Sequence, residues 1–234
     1  MSMGEANCLV CGKPLVYWEE ARSVTCQVCG REETGHCVCE DGHYVCNECH
    51  RREGVEHILA LCSGTQSKNP VHIMVEAMGH RSIYPNGPEH HTLVGAALLA
   101  AYANAGGGIE LPRALDEMRS RSMCVPGGTC GFWGCCGAAV SCGQAMSIIN
   151  GSTPMKQEAW AQCQGITGRI LERLAELGGP RCCKRCGFAA LEVAVPYVRE
   201  LTGVALELPE HISCGFFTRN AECRKEECPY YPGA

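Results

Sequence analysis

The sequence predicts a mainly α protein in which a small β-hairpin metal module, of zinc-ribbon or treble-clef-like type, precedes a larger helical domain. Three observations carry that expectation. Closely paired cysteines crowd the segment up to Gly54, where long apolar runs are missing. Beyond it, apolar residues recur at spacings of three and four, the period of a helix with one buried face. Alternating apolar and polar runs, which would mark a larger sheet, are absent there. The module is assigned to residues 1–56 and the helical cysteine-rich domain to 57–234.

Cys8-x2-Cys11 and Cys26-x2-Cys29 open the module, each pair followed by glycine. A CxxC turn offers two thiolates to one ion, and the glycine lets the backbone fold tightly behind the sulfurs. Cys37-x-Cys39 and Cys46-x2-Cys49 follow, so the segment carries eight thiols, enough for two closed tetrahedral zinc sites. Sequential wiring takes the first two pairs for one ion. Cross-braced wiring joins the first pair to the third and the second to the fourth, and His43 is an alternative ligand to Cys37 or Cys39. Closed sites of this kind fold a chain and dock partners.

A short helix is expected over Gly54–Leu61, and a polar linker over Ser63–Pro70. Thr92–Ala103 is apolar on nearly every face, as a buried helix is, and Gly106-Gly-Gly108 ends it. Pro112–Met123 reads as a more polar helix, and Ala138–Ile149 as another. Trp160, Cys163, Ile166, Ile170, Leu174 and Leu177 form one stripe, making Pro154–Leu177 an amphipathic helix closed by Gly178-Gly179. Pro180 suits the first turn of the next helix, whose stripe is Phe188, Leu191, Val195 and Val198 and which Pro196 is expected to kink.

Cysteine accounts for 21 of 234 residues. The start, Met1 to Cys8, shows no basic leader or apolar core of a signal peptide, which places the chain in a reducing cytoplasm. There, dense cysteine points to metal, clusters or catalysis rather than disulfides. No run reaches the roughly 20 apolar residues of a membrane span. A formal net charge of -5 argues against nonspecific nucleic-acid binding.

The helical domain has three further cysteine groups. Cys130, Cys136 and Cys142 lie in or beside a glycine-rich run, Gly127–Gly137, at a helix start, where freed backbone amides approach a cluster and thiol pKa values fall. Cys182, Cys183 and Cys186 stand at the start of another helix among Arg181, Lys184 and Arg185. Cys182 and Cys186, four apart, are expected to share a face, with Cys183 pointing elsewhere. Cys214, Cys223 and Cys228 occupy the tail, and Pro229 after the last is a feature of iron–sulfur runs. All but Cys183 are candidate iron–sulfur ligands. Cys183, His90 and His91 are candidate catalytic groups, the histidines as proton carriers.

Cys8-Leu-Val-Cys-Gly-Lys-Pro-Leu15, Gly42-His-Tyr-Val-Cys-Asn-Glu-Cys-His50, Pro88-Glu-His-His91, Cys130-Gly-Phe-Trp-Gly-x-Cys-Gly137 and Gly179-Pro-Arg-Cys-Cys-Lys-Arg185 together resemble a cysteine-rich family of unknown function from anaerobic archaea and bacteria. Its members are sometimes joined to a methyltransferase-like domain. The resemblance implies an anaerobic setting, suited to cluster chemistry, and brings no assigned reaction. The expectation is an iron–sulfur metalloprotein in sulfur or electron transfer, in cofactor maturation or in macromolecule modification. The alternatives are a non-catalytic zinc adaptor docking a methyltransferase-like or cofactor-maturing enzyme, and a dithiol oxidoreductase using Cys135-Cys136 or Cys182-Cys183.

Overall fold

Asn69 illustrates how local sequence sets an element here. Its side chain accepts hydrogen bonds from the amides of Val71 and His72 at 3.0 and 3.2 Å, and Pro70 takes the first helical position. That pairing of cap and proline starts a helix, α2 (Pro70–Met78), where the sequence suggested only the end of a linker. The computed structural model describes residues 8–233, so the reading of Met1–Asn7 lies outside the described residues. Within them the chain is mainly α, with eight helices and one two-stranded antiparallel sheet.

The hairpin pairs β1 (Leu15–Thr25) with β2 (Glu32–Cys39), the register slipping between Tyr17 and Arg22. Helix α1 (Asn47–Gly64) follows, so the expected boundary at residue 56 falls inside a continuous helix. α3 (His90–Asn104) is the centre of the molecule: from His90 to Tyr102 every residue is buried, as its all-round apolar character requires. Around it pack α1, α2, α4 (Leu111–Ser122), α6 (Gly137–Asn150) and α8 (Cys183–Thr202). A single turn, α5 (Thr129–Phe132), leads into α6, and α7 (Gln157–Leu177) lies between α6 and α8.

Two expectations about helices need correction. Ile166 and Ile170 are fully buried, but Trp160 is half exposed. It borders an open groove between α7 and the Val140–Ser147 face of α6, so part of the indole faces solvent. Pro180 precedes α8 rather than entering its first turn, since Cys182 caps that helix with its own sulfur. Pro196 does lie inside α8, which continues through it to Thr202.

Candidate metal centres

Two groups of ligand atoms converge in the N-terminal module. Cys8, Cys11, Cys39 and His43 form one, and Cys26, Cys29, Cys46 and Cys49 the other, the atoms of each lying within 4.8 Å of one another. The grouping follows the cross-braced pattern, the first pair with Cys39 of the third and the second with the fourth. Each of the first two pairs sits on a tight turn: Gly12 and Gly30 donate to the carbonyls of Cys8 and Cys26 at 2.8 and 2.9 Å, with φ of 75° and 71°. Those φ values favour glycine. The third ligand pair closes a similar turn, Gly42 donating to Cys39 O at 2.8 Å, and the fourth is the first turn of α1 with Cys46 as its cap.

Sulfur separations fit single ions. A tetrahedral zinc with Zn–S of about 2.3 Å has thiolates about 3.8 Å apart, and Cys11–Cys39 and Cys29–Cys46 measure 3.7 and 3.8 Å. Backbone amides also aim at the sulfurs: His43 N reaches Cys39 Sγ, and Cys46 N reaches Cys26 Sγ, both at 3.3 Å. Burial raises the Cys26 thiol, but amide donation from Cys46, Cys29 and Val28 outweighs it and brings the pKa to about 6. The same opposition, with amides of His43 and Asp41, brings Cys39 to about 7. Both therefore favour the thiolate that a metal needs.

Cys37 belongs to neither group. It pairs across the hairpin with Tyr17, two residues before Cys39, and two strand residues span about 6.6 Å. An ion held by the Cys39 turn is out of its reach, and His43 takes the fourth position.

In the helical body, thiols from two separate segments meet. Cys136, the residue before α6, stands beside the Cys186 thiol of α8, and the interaction of the two sulfurs lowers the pKa of Cys136 and raises that of Cys186. Burial and the nearby Cys186 raise Cys130, while burial pushes Cys183 up to about 12. Both thiols are close enough to Cys136 to oppose its ionisation. The thiols whose charges act on one another here are thus the set Cys130, Cys136, Cys183 and Cys186. Cys182 departs from it because, as the cap, it has extended backbone at φ -154° and ψ 105°. The helical wheel that paired it with Cys186 does not apply, and Cys183 and Cys186, three apart, share the face instead.

Cys182 turns to the opposite side, where it lines a cavity with Cys214, Cys223 and Cys228 of the tail. Cys142 joins no thiol group. It is fully buried in the apolar core, and burial alone raises its pKa to about 12.

Beside the first thiol group lies a buried polar cluster. Glu89 is wholly buried, 3.6 Å from His50 Nδ1 and 3.3 Å from His90 Nδ1, and it accepts from Tyr84 N at 3.1 Å. Burial would raise this carboxyl, but the two imidazoles hold it well below the usual range. Its charge acts in turn on Cys183 and on the buried Lys184. His90 is buried at the start of α3 beside Glu89, and His91 follows it, its Nδ1 3.2 Å from Val125 O and its ring against Gly137, the residue after Cys136. The sequence assigns His50 no role beyond its closeness to the Cys49 pair, and it names Lys184 as a cation beside the cysteines at the start of α8 without showing that it is buried.

These features define a mainly α, cysteine-rich protein with groups that could hold metal ions. The chain belongs to the family of unknown function DUF5714, whose model matches residues 58–231. That span includes every thiol group of the helical body and neither N-terminal group. No curated protein matches the chain, and no solved structure does.

Proposed function

We propose that the chain is an iron–sulfur protein of anaerobic cytoplasm, in which Cys130, Cys136, Cys183 and Cys186 hold a cluster used in electron or sulfur transfer. The observation that carries this reading is the meeting of thiols from the glycine-rich α5–α6 segment with those at the start of α8. Outside the two N-terminal groups, no three ligand atoms among the described residues lie within 4.8 Å of one another. Four thiols that do not converge on one tetrahedral ion are matched better by a polynuclear cluster, whose irons divide the cysteines among them. Such a cluster would supply one-electron chemistry or a sulfide. His90 would hold and pass a proton at Nε2, a buried atom without a hydrogen-bond partner, and the ionised Glu89 beside its Nδ1 would orient the ring. The N-terminal groups are read as two structural zinc sites.

Iron, zinc and acid-labile sulfide measured on protein purified without oxygen test this directly. Iron and sulfide that disappear together in Cys136→Ser/Cys186→Ser support it. Protein containing zinc alone sinks it. A zinc adaptor is the second reading, favoured by the exposure of Val10 and Val28, which occupy the same position in the two CxxC turns and offer apolar contacts to a partner enzyme. That reading requires partner binding to persist in the Cys136→Ser/Cys186→Ser variant.

A further inference from the structure

The tail after α8 has too little apolar sequence to form a core of its own, yet it is fastened at several points. Cys214 N donates to Tyr230 O at 2.7 Å, and the Tyr230 hydroxyl bonds Glu192 of α8. The Tyr230 ring meets Phe188 edge-on, with centroids 5.4 Å apart. Arg224 reaches Leu177 O at 2.5 Å, and Arg219 lies 3.4 Å from the carbonyls of Met78 and Ile83. These anchors bring three tail cysteines, separated by nine and five positions in sequence, to one cavity whose fourth thiol is Cys182.

We propose that Cys182, Cys214, Cys223 and Cys228 bind a second iron–sulfur cluster, distinct from the one assigned to Cys130, Cys136, Cys183 and Cys186. The inference shares the cluster chemistry of the reading above but stands on different ligands. Three features support it. All four cysteines line one cavity, otherwise walled largely by aromatic rings such as Phe188, Phe216 and Tyr231, which would keep water from a cluster. Donors aim at the sulfurs: Arg185 N and Asn220 Nδ2 lie 3.5 Å from Cys182 Sγ, and Lys225 N lies 3.4 Å from Cys223 Sγ. N–H groups pointed at cysteine sulfur stabilise thiolate and tune a cluster. Cations are at hand as well: buried Lys184 and Arg185 line the cavity, and Arg185 Nε is buried without a partner.

The consequence is that adjacent residues serve different centres. Cys182, as the helix cap, faces the tail, and Cys183, as the first helical residue, faces α6. Their Cα atoms are about 3.8 Å apart, so the two clusters would be joined through one peptide.

Iron and acid-labile sulfide should be compared across the full-length wild type, Cys214→Ser/Cys223→Ser and Cys136→Ser/Cys186→Ser, all reconstituted without oxygen from ferrous iron and sulfide. Each double variant is expected to retain about half of the wild-type iron and sulfide. Full wild-type iron in the tail variant overturns the inference, as does loss of zinc in place of iron. If instead the α6–α8 variant keeps all its iron and the tail variant has none, the tail cluster stands and the first site fails. Alkylation of the wild type, read by mass spectrometry, needs no variant to fold: Cys182, Cys214 and Cys223 are expected to be protected until iron is chelated. Equal labelling before and after chelation overturns the second cluster.

Discussion

His91 shows how burial at one residue sets a pH dependence. Loss of hydration dominates its environment and, against the bond to Val125 O, lowers its pKa from the ordinary 6.5 to about 4. Between those values the unfolded chain binds a proton that the folded chain refuses, so stability must fall as pH drops from 6.5 towards 4 and level off below. The full effect is about 3 kcal/mol. Urea unfolding of wild type and His91→Gln across pH 7 to 4.5 measures it. Their difference should change over that range, because metal release, common to both, cancels; parallel curves would refute it. A second residue-scale prediction separates Cys37 from His43. Cys37→Ser should retain two zinc equivalents in the module, whereas His43→Ala should lose one, by metal analysis of the anaerobic protein. The CxxC pairs were legible because both ligands sit within one turn. The choice of His43 over Cys37 was not, because it depends on where β2 stops and the Cys39 turn begins.

Helices in this chain announce themselves when one face is apolar, but the closeness of two helices depends on single small residues. α3 meets α6 at Gly95, whose amide lies 2.7 Å from the Ser141 hydroxyl. A Cβ added there would stand 2.8 Å from Ser141 O and 2.6 Å from Met118 Sδ. The methionine can move, but the backbone carbonyl moves only with its helix. Gly95→Ala should therefore destabilise the protein by about 1–3 kcal/mol. Gly168 of α7 has nothing within 4 Å of the same position, so Gly168→Ala should stabilise by about 0.5–1 kcal/mol from helix propensity. Thermal melts that shift both variants the same way would contradict this packing. Periodicity located α3, α4, α6, α7 and α8 to within a few residues. It missed α2, whose nine residues hold barely two turns of pattern, and it buried Trp160 by assuming that a stripe is covered along its whole length. Nor does the shared face expected for Cys182 and Cys186 hold, because a wheel drawn through a cap residue has no meaning there.

Across the whole molecule, the two-part division drawn from composition conceals a mechanical link. α1 starts on Cys46 and Cys49, ligands of the second N-terminal group, and its next two residues reach into the helical body. His50 approaches Glu89, while the buried Arg51 guanidinium donates to the carbonyls of Ser122, Met123 and Val125. Composition could not show this, since the charged and polar residues of that turn read as surface. An ion at Cys26, Cys29, Cys46 and Cys49 would fix the start of α1 and with it Arg51 and His50. Arg51, without its carbonyl partners, would be an uncompensated buried cation, so the loop after α4 and the segment before α3 must loosen when α1 frays. Hydrogen exchange should then show that chelating zinc deprotects not only residues 8–49 but also 84–91 and 121–125. Cys8→Ser, which removes a ligand of the other group alone, should leave those two body segments protected, because that group (Cys8, Cys11, Cys39 and His43) takes no residue from α1. If chelation leaves 84–91 and 121–125 unchanged, the module is only appended to the body. If it deprotects them, the N-terminal metal holds in place the carboxylate and imidazoles that stand beside the cysteines of α6 and α8.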